Sequence, residues 1–245
     1  MHSTLAGLRA ELPPMAKLAT PVVVAELGWI AMGVVDIAMV GRLGPEAIGA
    51  VGIGSVLFFA VAVFGIGVLL GLDTLVSQAY GARRLEECHR WLFHGGGLSV
   101  LLAVPLTGVT AVVIGTLDRW SLDPAVEQLA VPYLSIILWS ILPLLLYTAF
   151  RRYLQAMGLV SPVMLALVSA NLINIAANWL LVFGNLGAPR LGVDGAAWAT
   201  CVSRVYLALF LLFAILRHDR HQRTGLWQSP RRLDLDRLRR LTVLG

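Results

Sequence analysis

Ala47-Ile-Gly-Ala-Val-Gly-Ile-Gly-Ser-Val-Leu-Phe-Phe-Ala-Val-Ala-Val-Phe-Gly-Ile-Gly-Val-Leu-Leu-Gly-Leu72 contains no charged side chain. A helix rises about 1.5 Å per residue, so roughly 20 apolar residues cross the hydrocarbon core of a bilayer. This run is long enough. Five further stretches have the same character: Met15–Val40, Trp91–Leu117, Gln128–Phe150, Pro162–Phe183 and Gly195–Leu216. The sequence therefore predicts an all-α polytopic membrane protein with six transmembrane helices.

Composition agrees. Hydrophobic residues make up 58% of the chain and charged residues 13%, with a mean hydropathy of +0.80. A soluble domain carries about a quarter charged residues. Too few polar groups exist here to coat a water-soluble globule. The net charge of +5 does not point to nucleic acid, because the basic residues sit in short runs between apolar segments. Cys88 and Cys201 match no zinc or disulfide spacing. The first apolar run contains Glu26 and precedes five more, so it reads as a span and not as a secretory signal.

The linkers are short: Gly41–Pro45, Tyr80–Arg90, Asp118–Pro124, Arg151–Ser161 and Gly184–Asp194. Placing the N-terminus in the cytoplasm puts Arg9, Lys17, Arg83, Arg84, Arg90, Arg151, Arg152 and eight arginines after Leu216 on the inside. Only Arg42, Arg119 and Arg190 are then left in the outer loops. That asymmetry is the positive-inside pattern. It predicts a multi-pass protein of the cell (inner) membrane with both ends cytoplasmic. Pro21, Pro105, Pro132 and Pro143 and the Gly67-x-x-x-Gly71 spacing fit kinked, closely packed helices. They suit ordinary packing or a transporter that rocks between states.

Beyond the last span, Leu233-Asp-Leu-Asp-Arg-Leu-Arg-Arg-Leu-Thr-Val-Leu-Gly245 is similar to the entry of the first, Leu12-Pro-Pro-Met-Ala-Lys-Leu-Ala-Thr-Pro21. Both give a polar lead-in, a base and an apolar start. The expectation is a six-helix lobe over residues 1–217, a basic cytoplasmic connector over 218–240, and the start of a second, repeated lobe over 241–245.

Four segments carry a family resemblance. Val35-Asp-Ile-Ala-Met-Val-Gly-Arg-Leu-Gly44 and Gly71-Leu-Asp-Thr-Leu-Val-Ser-Gln-Ala-Tyr-Gly-Ala82 resemble the ends of the first two helices of the multidrug and toxic compound extrusion (MATE) family. Asn171-Leu-Ile-Asn-Ile-Ala-Ala-Asn178 and Leu191-Gly-Val-Asp-Gly-Ala-Ala-Trp-Ala-Thr200 resemble its fifth and sixth helices. The resemblance implies a two-lobe, twelve-helix transporter of which this chain is the N-terminal lobe, with the C-terminal lobe as its missing partner. It implies secondary active efflux of cationic or amphiphilic drug-like compounds in exchange for protons or sodium ions, with no cofactor. Asp36 matches the family's coupling aspartate. Asn174 and Asn178 fall where many members carry an asparagine and an aspartate. Here the second is an amide, which leaves Asp36 as the main carboxylate of that site.

The residues also speak for themselves. An ionisable group inside a membrane is costly and therefore a candidate for function. Asp36, near the outer end of the first span, can bind a proton or sodium ion or can reach toward the interface. Asn171, Asn174 and Asn178 share one helix face by their spacing; their amides can ligate sodium or pack between helices. Thr200 can add a hydroxyl or bond back to its own helix. Counted from the ends of their spans, Glu26 and Arg204 fall near mid-membrane and are expected to form an ion pair, static or switchable. Asp73, beside Thr74, Ser77 and Gln78, reads as a gate, a loop anchor or a helix end. Tyr133, Trp139 and Tyr147 suit cation stacking or interfacial packing. No Walker loop is present, nor a metal-dependent enzyme motif, so an enzyme is not expected. A flippase of a lipid-linked precursor and a non-transporting structural subunit remain alternatives.

Overall fold

The computed structural model describes the backbone of residues 2–222, 224–228 and 233–245, with side chains from Ala19 onward. The side chains of Arg9 and Lys17, most of the 12–21 lead-in, and Arg223, Arg231 and Arg232 lie outside the described residues. Nine α-helices and no strand occur among the described residues: α1 His2–Val40, α2 Pro45–Leu69, α3 Gly71–Gly81, α4 Leu85–Ile114, α5 Pro124–Ile137, α6 Ile141–Ala156, α7 Val160–Phe183, α8 Val193–Gln222 and α9 Leu235–Leu244. They form six segments long and apolar enough to cross a membrane: Ala19–Leu43, Pro45–Gly81, Leu85–Ile114, Pro124–Ala156, Val160–Phe183 and Val193–Gln222. The six expected spans are present.

Their ends differ from expectation, because charged linker residues join helices. The second connection shrinks to Ala82–Arg84, where Arg83 turns the chain at φ 57°. Arg90 lies on α4, paired with Glu86 one turn earlier at 2.6 Å. Arg151 and Arg152 lie on the last turns of α6, not in a loop. The break that follows occurs at Gly158, φ 77°. Likewise α8 runs past Leu216 to Gln222, where Asp219 accepts the backbone N–H of Leu226 at 2.9 Å.

Two spans are interrupted. α2 and α3 meet at Leu70, between the paired glycines. α5 and α6 meet at a 3₁₀ turn, Leu138–Ser140. Pro143 explains the second break: it has no N–H to donate to the Trp139 carbonyl, so the helical ladder cannot run through. The interruption leaves backbone and side-chain acceptors facing α8. Cys201 Sγ donates to the Ile136 carbonyl at 3.4 Å, and Arg204 reaches Ser140.

α7 packs against α1 on one side and α8 on the other. Asn171 Nδ2 donates to the Gly28 carbonyl on α1 at 2.8 Å. On α8, Gly195 lets the helices nearly touch: a Cβ there would lie 2.6 Å from the Leu181 carbonyl. The arginine-rich turns gather at one end of the bundle, where Arg152 Nη1 pairs with Asp73 Oδ2 at 2.9 Å. That contact makes Asp73 an anchor between α3 and α6. At the same end α9 docks on α2, α3 and α4, with Arg237 paired to Glu87 of α4 at 2.7 Å and lying over the Trp91 ring. Arg42 sits at the opposite end, over Phe183.

Much of the outer surface is apolar, including Val56, Phe64, Val104, Val112 and Leu209. A water-soluble monomer does not expose so much. Trp139, 72% exposed, belongs to this surface.

Candidate functional site

The site is built on α1, α7 and α8. Asp36 lies four residues before the end of α1 and is buried. The 174/178 spacing on α7 aims two amides at it. Asn174 Nδ2 donates to Asp36 Oδ1 at 3.1 Å, and Asn178 Nδ2 donates to the same oxygen at 2.7 Å. From α8, Thr200 Oγ1 donates to Asp36 Oδ2 at 2.7 Å. Both carboxylate oxygens are thus held, and three helices are tied at one point. Asn174 and Asn178 are fully buried, and each amide oxygen lacks a partner among the described residues. The structure brings together all four residues singled out for cation or proton binding. Asn171 departs from the group and braces Gly28 instead.

Asp36 borders a cavity of about 540 Å³. Its wall includes Trp29, Phe58, Phe59, Tyr133, Thr200 and Arg204. Tyr133 is buried and its Oη lies 3.1 Å from Ser55 Oγ. Its ring rests on Gly54, where a Cβ would sit 2.5 Å from it. The cavity is within the range of small-molecule sites, roughly 300–1,000 Å³.

The expected Glu26–Arg204 pair does not form. Glu26 is paired with Arg151, whose other Nη donates to Tyr147 Oη at 3.4 Å. Tyr147 stacks on Trp29 at 5.8 Å, so its ring is used in packing. Arg204 donates from Nη1 to Ser140 Oγ at 2.6 Å and lies 4.4 Å from the centroid of Phe58. The physical reason is depth. The Asp36–Thr200 contact sets α1 and α8 in register. From that level Glu26 is ten residues along α1, about 15 Å, whereas Arg204 is four residues along α8, about 6 Å. The two charges miss each other by about 9 Å along the axis.

Sequence reasoning did not assign Arg204 and Ser140 to this site. A signal existed for the first. Thr200 and Arg204 are spaced i, i+4, so they share a helix face, and any helix face that presents Thr200 to Asp36 presents Arg204 to the same space. The break that positions Ser140 was foreshadowed only by Pro143.

The site is thus a buried carboxylate held by two amides and a hydroxyl beside a cavity in a bundle of apolar helices. The family model MatE matches residues 21–180. The chain belongs to the MatE family. Its relatives include a probable multidrug resistance protein NorM of Geobacillus kaustophilus, 35% identical over 215 residues that cover 85% of this chain and 47% of that protein. A probable multidrug resistance protein NorM of Synechocystis is 30% identical over 98% of this chain and 52% of its own length. The chain spans about half the length of the curated MatE relatives it matches. A crystal structure of the eukaryotic MATE transporter AtDTX14 superposes with a TM-score of 0.80 at 23% identity, over 97% of this chain and 51% of that one. An outward-facing multidrug resistance MATE transporter gives the same score over 92% and 49%. These likenesses show a shared MATE fold, with the six spans occupying about half of the solved transporters.

Proposed function

We propose that this chain is the N-terminal lobe of a secondary active multidrug exporter, with Asp36 as the site where a proton or sodium ion is taken up in exchange for a cationic or amphiphilic compound. The observation that carries the reading is the three-helix clamp on Asp36 at the edge of the cavity. The names of the NorM relatives support the drug-export side of it.

The clamp has the right energy scale. A hydrogen bond to a charged group contributes about 1.5–3 kcal/mol. Three of them total roughly 5–9 kcal/mol, and driving a two-state equilibrium from 1:99 to 99:1 takes about 5.5 kcal/mol. A proton on Asp36 removes charge from all three bonds at once and so loosens α1 from α7 and α8. A sodium ion would act differently. It would draw the Asn174 and Asn178 amide oxygens, which have no donor among the described residues, by a turn of each amide. Either ligand shifts the helix arrangement only through its different affinity for the two states.

In this reading the arginine-rich end of the bundle faces the cytoplasm, residues 218–240 connect the lobes, and 241–245 open the second. The test uses the chain together with a second lobe. Asp36→Asn abolishes ion-driven efflux of a fluorescent cation from everted membrane vesicles. Unchanged ion dependence and unchanged drug resistance in that variant sink the assignment.

A further inference from the structure

Asp36 and Arg204 are the two charged side chains in the wall of the cavity; the rest of the lining is aromatic, aliphatic, hydroxyl-bearing or glycine. Each is held by neutral groups. Asn174, Asn178 and Thr200 donate to Asp36, and Arg204 rests on Ser140 Oγ and the Phe58 ring. Such partners spread a charge without cancelling it. A full charge inside a membrane is costly unless an opposite one offsets it. Glu26 and Asp73 are spent on Arg151 and Arg152, so the charge that offsets Arg204 is Asp36. No ion pair joins the two among the described residues. Arg204 nevertheless follows Thr200 by one turn of α8, about 6 Å, and each charge lies in the Coulomb field of the other. A guanidinium keeps its charge at any physiological pH, whereas a proton or sodium ion on Asp36 cancels the carboxylate's. The wall is therefore neutral while Asp36 is empty and carries one positive charge once Asp36 is loaded.

We infer that Arg204 is a specificity-determining residue of this cavity: its fixed charge leaves a cationic compound free to bind while Asp36 is ionised and repels that compound once Asp36 holds the coupling ion. The inference rests on the reading of Asp36 as the ion site, and it adds the residue that turns ion uptake into a change of ligand preference. Asp36 alone does less. Without Arg204 the wall would run from negative to neutral, and a neutral wall that includes Trp29, Phe58 and Phe59 still attracts an organic cation. With Arg204 it runs from neutral to positive, so the loaded state opposes the cation outright. At a separation of about 10 Å and an effective dielectric constant of about 20, one unit charge changes a cation's affinity by more than about tenfold.

The experiment titrates rhodamine 6G, a cation with no carboxylate, against the chain in phosphatidylcholine nanodiscs by fluorescence anisotropy, with binding to empty nanodiscs subtracted. Asp36→Asn keeps the size of the side chain and, like a loaded carboxylate, carries no charge. At neutral pH and low sodium it is expected to bind the dye about tenfold more weakly than the native chain. Asp36→Asn with Arg204→Gln has neither charge and should return to the native level. Asp36→Asn with Arg204→Lys keeps the positive charge and should stay weak, which separates charge from the packing of the arginine. A double variant with glutamine that binds as weakly as Asp36→Asn alone overturns the inference. The native chain supplies a second arm that no variant's folding enters: acid or added sodium should weaken the dye by a similar factor. Native binding that ignores both pH and sodium overturns the reading of Asp36 and this inference with it. Native sensitivity without recovery in the glutamine double variant overturns this inference alone.

Discussion

Thr200 Oγ1 donates to Asp36 Oδ2 at 2.7 Å, and it is the contact from α8 that completes the clamp on that carboxylate. The two asparagines share Oδ1, so Oδ2 depends on Thr200. Replacing Thr200 by valine keeps the shape of the side chain and removes the donor. The bond lost is worth about 1.5–3 kcal/mol, so Thr200→Val should lower ion-driven efflux by the assembled transporter at least about tenfold. Thr200→Ser keeps the hydroxyl and should stay close to native. Efflux rate against ion concentration in everted vesicles is the measurement. Equal damage from both changes would mean that the methyl group's packing matters and the hydroxyl does not.

Glu26 gives a second prediction, because its partner is on α6 and not α8. The Glu26 side chain is 54% exposed and that of Arg151 10% exposed. Solvent screens such a pair, so a double-mutant cycle with Glu26→Gln and Arg151→Gln should give a coupling of only about 0.2–1 kcal/mol in thermal unfolding in detergent. Charge reversal identifies the partner. Glu26→Arg with Arg151→Glu should recover most of the stability lost by Glu26→Arg alone. Glu26→Arg with Arg204→Glu should recover none. Rescue by the Arg204 swap would revive the pairing that helix depth rules out.

These two cases show where the sequence was readable. The six spans follow from the length of the apolar runs, which depends on membrane thickness and on little else. The Asn174/Asn178 face and its approach to Asp36 follow from helical spacing and from matching depth at one end of two helices. The partner of Glu26 does not follow, because its depth was counted from the ends of the spans and not from a contact between them. In the structure the Asp36–Thr200 contact sets α1 against α8, and from that level Glu26 lies ten residues away and Arg204 four. The six-residue difference is about 9 Å, enough to exchange one partner for another. Arg151 and Arg152 were hidden for a related reason. Charged residues at a span's end read as a loop, although two carboxylates on neighbouring helices, Glu26 and Asp73, draw them into the last turns of α6. Helix pairing between distant segments is a tertiary property, and one sequence holds no record of it.

The close approach of α7 and α8 yields the third prediction. Those two helices carry three of the four residues at the Asp36 site, so their spacing sets the clamp. At Gly195 a Cβ would lie 2.6 Å from both the Leu181 carbonyl carbon and oxygen, and 2.8 Å from the Val182 nitrogen. All three are backbone atoms, which cannot swing aside as a flexible side chain can. Gly195→Ala must therefore push α8 away from α7, at about 1–3 kcal/mol for the overpacking. Gly52, on α2, has nothing within 4 Å of its Cβ position. There the same change adds a helix-favouring residue, worth up to about 1 kcal/mol. Thermal unfolding in one detergent should separate the two variants: Gly195→Ala below the native protein, Gly52→Ala at or above it. Because the displacement of α8 carries Thr200 with it, Gly195→Ala should also lose ion-driven efflux at temperatures where it remains folded. A folded Gly195→Ala variant with native coupling would show that the α7–α8 spacing does not set the geometry at Asp36.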